Sequence, residues 1–314
     1  MNGEMKKRVQ KNGKLWMDKS KIAFACVFGL TTLVLYVFFC IVPVFDSLIT
    51  SFYDWNGFGN KDFIGFSNYA EIFADPVFRK AIANDLLITL GKEIIIVILT
   101  VIFSISLTRL HFSKAETAIY KFVYYIPNIL STIIIGTIWS FIFAPTSGLL
   151  NAILSNLGLE SLIPENGWLV EYPLQVITFV ASWCGIGLFM IVMIAAINSV
   201  PEELYEASRV DGAGEWRQLW CITMPAVWKQ VTFMVVTILY QSLGGNFGIV
   251  LTLAPNGGVS GSAMVMGLYV YNTGLDSYLP RVGYSYAGAV IMLIITSIAT
   301  LLAKWIMSKM EKED

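Results

Sequence analysis

Six long apolar stretches alternate with polar segments along the chain. A helix needs roughly 20 mostly apolar residues to cross the ~30 Å hydrocarbon core of a bilayer, and each stretch reaches that length. The pattern therefore predicts an all-α membrane protein with six transmembrane helices. The predicted spans cover about residues 22–45, 84–108, 118–143, 173–197, 228–251 and 282–305.

The polar segments differ strongly in charge. Basic side chains dominate residues 1–21, whereas residues 144–172 contain no Lys or Arg. Because cytoplasmic segments carry an excess of Lys and Arg, the N-terminus is predicted to be cytoplasmic, and six spans return the tail 309–314 to the same side. These basic residues set the orientation, or they bind anionic membrane lipid or a partner. They are Lys6, Lys7, Arg8, Lys11, Lys14, Lys19 and Lys21.

Composition agrees with a membrane protein. Hydrophobic residues make up 56% of the chain and charged residues 14%, whereas soluble domains are about half apolar and about a quarter charged. The four cysteines, Cys26, Cys40, Cys184 and Cys221, lack the spacing of metal ligands, and the one histidine, His111, lies in a predicted loop. The sequence therefore predicts no metal site and no catalytic residue, and it gives no sign of a nucleic-acid partner.

Three segments predicted to face outward are too broken to cross the membrane. Residues 51–83 are rich in aromatic residues, which favour the headgroup layer, so we expect an interfacial shelf or a contact surface for an extracellular partner. Pro76 is expected in the first turn of the helix that leads into the second span. Many helix breakers interrupt residues 144–172 and 252–281.

The predicted cytoplasmic segment 198–227 contains a short polar helix. Ser199 and Glu202 have the spacing of a capping box, which predicts the start of this helix. Gly212 is expected to end it, since glycine best accepts a left-handed cap. We interpret the helix as a docking surface, with an ordinary amphipathic interfacial helix as the alternative.

Small residues occupy one face of this helix. Ala207 and Ser208 leave room for another surface to approach closely, and helical spacing puts them on the same face as Leu204 and Asp211. An amphipathic piece with two tryptophans follows and is suited to the inner headgroup boundary. Pro225 is then expected to open the next span. The pattern predicts a short helix held between two membrane helices.

This segment resembles the EAA loop of ABC-importer permeases. The family pattern is Glu-Ala-Ala, two residues, Asp-Gly-Ala and, further on, Ile, two residues and Pro; Ser208 replaces the second alanine. The resemblance runs from about residue 36 through most of the chain, and it is closest to permeases of carbohydrate importers similar to the maltose and glycerol-phosphate systems. The matching residues are Glu206, Ala207, Asp211, Gly212, Ala213, Ile222 and Pro225.

The resemblance implies the fold of a type I ABC-importer permease and a place in a larger assembly. The implied partners are a second homologous permease, two ATPase subunits and an extracytoplasmic solute-binding protein, at the bacterial cytoplasmic membrane. This chain has no phosphate loop, so ATP and Mg²⁺ are expected on the ATPase, and this chain is expected to bind no cofactor and to be no enzyme. The implied ATPase-coupling residues are Glu206, Ala207, Ser208, Asp211, Gly212, Ala213 and Pro225.

Polar and aromatic side chains inside the predicted spans are candidates for a sugar pathway. An ionisable group costs about 2.5–3.5 kcal/mol at the membrane centre, so Glu93 is expected to line a pathway or to form an interhelical bond. Amides and aromatic rings offer a sugar hydrogen bonds and stacking faces, or they only pack. Asn246 lies in a small-residue motif, Gly244–Gly248, that also permits close helix packing. The candidates are Glu93, Asn128, Trp139, Trp183, Tyr240, Gln241 and Asn246.

Other functional classes stay open in the sequence. An ion-gradient-driven secondary transporter would use Glu93 and Asp85 as coupling acids, but that class typically has inverted repeats and broken spans, which the sequence does not show. A membrane scaffold without transport activity is disfavoured by the pattern from Glu206 to Pro225. An ABC permease for a solute other than a sugar is a further alternative. The chain departs from the sugar-permease pattern at Asp85, where that pattern has Thr after the asparagine, and at Ala254–Gly258, and both departures concern contacts with the substrate or the binding protein.

Overall fold

The computed structural model describes residues 19–109, 112–275 and 278–313. The basic residues 1–18 and His111 lie outside them, so the predictions made for those residues stay predictions. The described chain is mostly helical and divides into two units, of which the first ends at Thr50 and the second begins at Ser51.

The first unit is an apolar helical rod. Helix α1, Lys19–Tyr36, continues through a π-helical turn at Val37–Ile41 into α2, Val42–Thr50. The stretch Cys26–Thr50 is long and apolar enough to cross a membrane, and most of its large apolar side chains are exposed. A helix therefore occupies the whole of the predicted first span.

The second unit contains a small β-hairpin and thirteen helices within the described residues. Strands β1, Tyr53–Asp54, and β2, Asp62–Phe63, pair antiparallel with Tyr53 opposite Phe63. The helices are α3 Ser67–Ala74, α4 Pro76–Arg109, α5 Lys114–Ile129, α6 Thr132–Ile142, α7 Leu149–Asn156, α8 Trp168–Glu171, α9 Pro173–Ile197, α10 Glu202–Val210, α11 Glu215–Gln218, α12 Met224–Ser242, α13 Phe247–Leu253, α14 Met266–Gly274 and α15 Val282–Glu313. Across the two units, five helical stretches in the described ranges are suited to cross a membrane, or six if α5 and α6 count as one.

The third predicted span, 118–143, is not a continuous helix. Helices α5 and α6 meet at an angle of 100°. Pro127 lacks the N–H that would donate to the preceding turn, and the backbone becomes extended at Leu130 and Ser131, with ψ of 145° and 139°. The prediction of an unbroken span is wrong here, and so is the expectation that no span is broken.

The fifth predicted span, 228–251, also ends early. The helix stops at Ser242, and a turn separates it from the short helix α13. Gly244 in this turn has φ +79°, a left-handed conformation that glycine adopts without steric cost. A side chain at Gly244 would also collide with the thioether of Met292. The glycine-rich segment thus makes a turn, where the sequence predicts a helix.

Close contacts between small residues and neighbouring helices organise the core. An added Cβ at Gly91 of α4 would lie 2.9 Å from Thr178 of α9, and one at Gly185 of α9 would lie 2.5 Å from Ile96 of α4. Helices in membranes associate through such small residues, because these let the backbones approach. The pair α4 and α9 is therefore the centre of the bundle, and α9 has the predicted bounds 173–197.

Side-chain hydrogen bonds order the segment 51–75. The amide of Asn68 donates to the carbonyls of Ser51, at 2.9 Å, and Tyr53, at 3.0 Å. Helix α4 begins at Pro76, as the sequence predicts, and the Asp75 carboxylate accepts from the N–H two residues on at 2.7 Å. Residues 51–83, predicted to form an interfacial shelf or a partner contact, thus form a hairpin, a short helix and the first turns of α4.

Candidate coupling helix and translocation pathway

Helix α10 begins at Glu202 without the predicted capping box. Its N-cap is Pro201, which makes no side-chain capping bond. Ser199 instead donates to the carbonyl of Ala196 at 2.7 Å, so its hydroxyl serves the end of the preceding helix. Glu202 and Glu203 lie in the first turn, where the helix macrodipole stabilises carboxylates.

A capping box does form elsewhere, at the start of α5. The N–H of Glu116 donates to the Ser113 hydroxyl at 3.2 Å, and the N–H of Ser113 donates to the Glu116 carboxylate at 2.8 Å. Ser199 and Glu202 have the same spacing. The spacing alone therefore does not decide which serine caps a helix.

The predicted end of α10 at Gly212 is confirmed. Gly212 has φ +76°, and its N–H donates to the backbone carbonyl of Arg209 at 3.1 Å. The N–H of Ala213 donates to the backbone carbonyl of Ser208 at 2.8 Å. These two bonds form a Schellman motif, which satisfies the last carbonyls of a helix. The end of the helix is thus fixed by local sequence.

The predicted docking face of α10 is open. Glu206, Ala207 and Asp211 are exposed, and Ser208 and Ala213 are half-buried. The Ser208 hydroxyl donates to the carbonyl three residues back at 2.9 Å, so its proton is used within the helix and its oxygen can still accept a hydrogen bond. The structure therefore leaves this face available to another surface.

One side chain of α10 points inward, and the sequence analysis missed it. Tyr205 is the buried residue of this helix. The guanidinium carbon of Arg109 lies 3.6 Å from the centre of the Tyr205 ring, and the tyrosine hydroxyl lies 3.1 Å from the hydroxyl of Thr223. The signal in the sequence is that Tyr205 is the one aromatic residue in this polar helix.

The segment after α10 runs directly into the next span. Helix α11, a π-helical turn at Leu219–Thr223 and α12 form one helical stretch, which is suited to cross a membrane. Pro225 is the second residue of α12, and its missing N–H accounts for the widened turn before it. Trp216 and Trp220 are exposed, with ring centres 6.0 Å apart, and their place at the inner headgroup boundary stays a prediction.

Two of the pathway candidates meet in an aromatic cluster, defined here as Trp139, Phe143, Phe179 and Trp183. The Trp139 ring centre lies 5.5 Å from that of Trp183 and 5.3 Å from that of Phe179, both edge to face, and 5.4 Å from that of Phe143. The indole N–H of Trp139 is buried and has no hydrogen-bond partner in the described part of the chain. The cluster therefore contains an unused donor.

Asn128 lies beside this cluster. Its amide donates to the carbonyl of Cys184 at 3.4 Å, one residue after Trp183, and its side chain is exposed. It belongs to the last turn of α5, just before the bend that follows Pro127. Asn128 is thus joined to α9 at the residue that follows Trp183.

Asn246 and Asp85 form a buried junction, in contact with the backbone of a third segment. The Asn246 amide donates to the Asp85 carboxylate at 3.2 Å, and the N–H of Met266 donates to the other carboxylate oxygen at 2.7 Å. Asn246 is 2% exposed and Asp85 is fully buried. The contacts favour the packing role for Asn246, and they give Asp85 a structural role.

The remaining candidates lie in different surroundings. Both carboxylate oxygens of Glu93 are buried and have no hydrogen-bond partner among the described residues. Tyr240 and Gln241 are exposed near the end of α12. Neither is joined to the aromatic cluster by a ring contact or hydrogen bond within the described residues.

Comparisons with known proteins agree with this geometry. Residues 100–312 match the family described as "Binding-protein-dependent transport system inner membrane component". The diacetylchitobiose uptake system permease protein NgcF of Streptomyces coelicolor is 30% identical over 292 residues, which cover 90% of this chain and 81% of NgcF. The probable ABC transporter permease protein YurN of Bacillus subtilis is 30% identical over 278 residues, which cover 85% of this chain and 90% of YurN.

The fold is also found in a solved transporter. A chain in the crystal structure of a bacterial ABC transporter involved in the import of the acidic polysaccharide alginate superposes with a TM-score of 0.79. The match covers 94% of this chain and 98% of that one, at 23% sequence identity. The family match, the long apolar helices and this fold agree, and the chain belongs to the family of binding-protein-dependent transport system inner membrane components, the multi-pass permease subunits of ABC importers.

Proposed function

We propose that this chain is the permease subunit of an ATP-driven importer of sugars. The observation that carries the proposal is the exposed helix α10 on a membrane permease of this family. The sugar class is supported by the relatives: NgcF is named for diacetylchitobiose, and AraP of Bacillus subtilis, 29% identical over 92% of this chain, for arabinooligosaccharides. A second permease and a solute-binding protein complete the proposed assembly.

We propose that α10 couples this chain to the ATPase. Its polar face is open, its end is fixed by the Schellman motif at Gly212, and Tyr205 anchors it from beneath. A docking helix needs these properties, because it must present a constant shape to a partner and pass the partner's displacement on. Two ATPase subunits would bind ATP and Mg²⁺, since this chain has no phosphate loop.

We propose that the aromatic cluster forms part of the sugar pathway. A buried indole N–H without an acceptor costs about 1–3 kcal/mol, and a sugar hydroxyl would accept its hydrogen bond. Aromatic walls with a few polar groups are the usual lining of ligand sites, and Asn128 adds an amide at the edge of the cluster.

The chain's proposed orientation, with both termini and α10 in the cytoplasm, is directly testable. Val210 is 88% exposed, so a cysteine at this position in a cysteine-free background would react readily. We expect a membrane-impermeant maleimide to label Val210→Cys in inside-out vesicles and to spare it in right-side-out vesicles. The reverse pattern would overturn the orientation.

Uptake by the complete complex in proteoliposomes tests the function. Diacetylchitobiose and an arabino-oligosaccharide serve as probes, each with its solute-binding protein. We expect uptake that stops with a hydrolysis-deficient ATPase subunit and is unaffected by an ionophore. Uptake that survives the ATPase variant and collapses with the ionophore would instead support an ion-coupled transporter. Failure with every sugar, together with ATP-dependent uptake of another solute, would overturn the sugar class alone.

The Trp139→Phe variant tests the pathway. Phenylalanine keeps an aromatic ring and removes the indole N–H, so the loss of one hydrogen bond of about 0.5–1.5 kcal/mol predicts roughly a 2- to 10-fold weaker apparent affinity for the transported sugar. Trp305→Phe, at an exposed position of α15, is the matched control. Equal affinities in the two variants would remove Trp139 from the pathway.

A further inference from the structure

Three helical elements that are distant in sequence meet at Tyr205. The Arg109 guanidinium stacks on the Tyr205 ring and donates to the Thr223 hydroxyl at 3.4 Å, and the Tyr205 and Thr223 hydroxyls lie 3.1 Å apart. Tyr205 is 6% and Thr223 2% exposed. Side-chain contacts therefore join α10, the π-helical turn before α12 and the end of α4.

The contact with α4 differs from the others because no short connection requires it. Helices α9 and α12 flank α10 in the chain and follow its displacement through the backbone. Helix α4 ends at Arg109, whose side chain contacts both α10 and the π-helical turn. Helix α4 also packs on α12, where Ile96 lies in one apolar cluster with Val231 and Met234. A flat guanidinium can stack on a ring and donate sideways at the same time, which an ammonium group cannot do.

The opposite part of α4 is tied to another segment. The Asn84 amide donates to the carbonyl of Met264 at 2.8 Å, and Asp85 accepts from the N–H of Met266 at 2.7 Å. Lys80 donates to the carbonyl of Ser260 at 3.2 Å. Helix α4 thus holds the segment 260–266 through three side chains on two consecutive turns.

Helix α4 is long enough to join the two sites. From Asn84 to Arg109 it extends roughly 38 Å, at about 1.5 Å per residue. It is an unbroken helix over this length and packs on α9. A helix fixed at both ends in this way transmits a displacement as a rigid body.

We propose that Arg109 is the positioning residue through which movement of α10 reaches α4 and, along it, the segment 260–266. The proposal rests on the proposed coupling function of α10. Arg109 touches neither sugar nor ATPase in this scheme; it acts through Tyr205. Its loss uncouples ATP hydrolysis from movement of the segment 260–266 and leaves the permease folded.

The test uses the complete complex in proteoliposomes, with Arg109→Gln compared with Arg79→Gln. Arg79 lies near the other end of the same helix, is exposed and has a long 3.4 Å bond to the Ala74 carbonyl. Coupling free energies between sites typically correspond to factors of about 5–150. We therefore expect at least a 5-fold fall in sugar transported per ATP for Arg109→Gln and a value near the parent for Arg79→Gln. Arg109→Lys should restore part of the loss, since it keeps the cation over the ring.

A second readout follows the segment itself. Val259 is 60% exposed, and a cysteine there, in a cysteine-free background, reports its accessibility to an impermeant maleimide. We expect ATP binding to change the labelling rate in the parent and in Arg79→Gln, and the change to be largely lost in Arg109→Gln. A merely structural role would lower the melting temperature and leave the ATP-dependent change intact.

Each outcome decides the proposal. Normal transport per ATP in Arg109→Gln, or no ATP-dependent labelling change in the parent, would overturn the relay. If Arg109→Gln does not insert, Tyr205→Leu, which removes the platform for the guanidinium, carries the same expectation. Gly212→Val distinguishes the relay through Arg109 from the coupling role of α10. If Gly212→Val uncouples transport and Arg109→Gln does not, α10 couples without this relay. Normal coupling in both variants would overturn the coupling role of α10.

Discussion

Helices α10 and α13 are both short, but different forces fix them. The ends of α10, nine residues long, are set by its own first turn and by Gly212, and one of its side chains is buried. Helix α13, seven residues long, buries three side chains and follows Asn246, whose amide is bonded to Asp85, 161 residues away in sequence. Helix length therefore says little about how a helix is held.

The difference matches the proposed roles of the two helices. An exposed, locally specified helix keeps its shape when a partner binds or leaves, which suits α10. A helix specified by contacts across the bundle keeps its place only while the bundle is intact, and α13 packs so closely on α6 that a side chain at Gly248 would lie 2.7 Å from Thr132. Substitutions should therefore act on coupling in α10 and on stability around α13.

The largest effect is expected for Asp85→Ala. This change leaves the amide of Asn246 and the N–H of Met266 without their buried acceptor, which costs roughly 2–6 kcal/mol at about 1–3 kcal/mol for each donor. We expect a strongly lowered melting temperature in detergent, measured by scanning fluorimetry. Glu206→Ala, on the exposed face of α10, is the control and should melt like the parent. Similar melting temperatures of the two variants would contradict the expected difference between α10 and the surroundings of α13.

Gly136→Ala should have the next largest effect. An added Cβ would overlap the Thr252 hydroxyl and lie 2.7 Å from its Cβ, and such overpacking costs about 1–3 kcal/mol. Gly214→Ala, next to α11 with nothing within 4 Å, is the matched control. Adding Thr252→Ala should recover part of the melting temperature of Gly136→Ala. No recovery would show that the overlap with the Thr252 hydroxyl is not the cause.

Gly212→Val is expected to affect coupling more than folding. The left-handed φ of +76° costs a residue with a side chain about 1–2 kcal/mol, and a β-branched residue is least suited to it. Since the space around Gly212 is open, the bundle itself is not disturbed. We expect normal insertion with less sugar transported per ATP. Gly212→Asn, which tolerates this conformation better, should retain more coupling, and equal transport by both variants would count against the cap.

The smallest effect is expected for Glu71→Gln at the surface. Arg281 donates two bonds to Glu71, at 2.6 and 2.7 Å, and these hydrogen bonds hold the pKa of Glu71 below its ordinary value. The stabilisation is therefore fully present above the ordinary carboxyl pKa and is lost as the pH falls through the lowered one. An exposed pair contributes at most about 1 kcal/mol. At pH 7 the melting temperature of the parent should be slightly higher than that of Glu71→Gln, and this difference should vanish in acid. A difference that persists in acid would exclude the ion pair as its source. Glu165→Gln controls for the loss of an exposed carboxylate.

Part of the candidate site was readable from local sequence. The open small-residue face of α10, the cap at Gly212 and the start of α4 at Pro76 depend on residues within a few positions of one another. The anchor at Tyr205 was not readable, because Arg109 and Thr223 reach it from other elements. The sequence around Asn246 is likewise compatible with helix packing and with a sugar pathway. Only the hydrogen bond to Asp85 favours packing.

The sequence by itself determined the membrane class, the positions of the apolar stretches, the bounds of α9 and the end of the polar helix α10, because apolar runs and turn residues act through their near neighbours in the chain. Only the tertiary structure decided that residues 118–143 bend and that the fifth span stops at Ser242. It also decided that Tyr205 of α10 is held by Arg109 and Thr223. The physical reason is competition for partners: a buried donor, a close helix approach or a broken turn is stable only when a distant residue supplies its complement, and the fold alone brings that residue near.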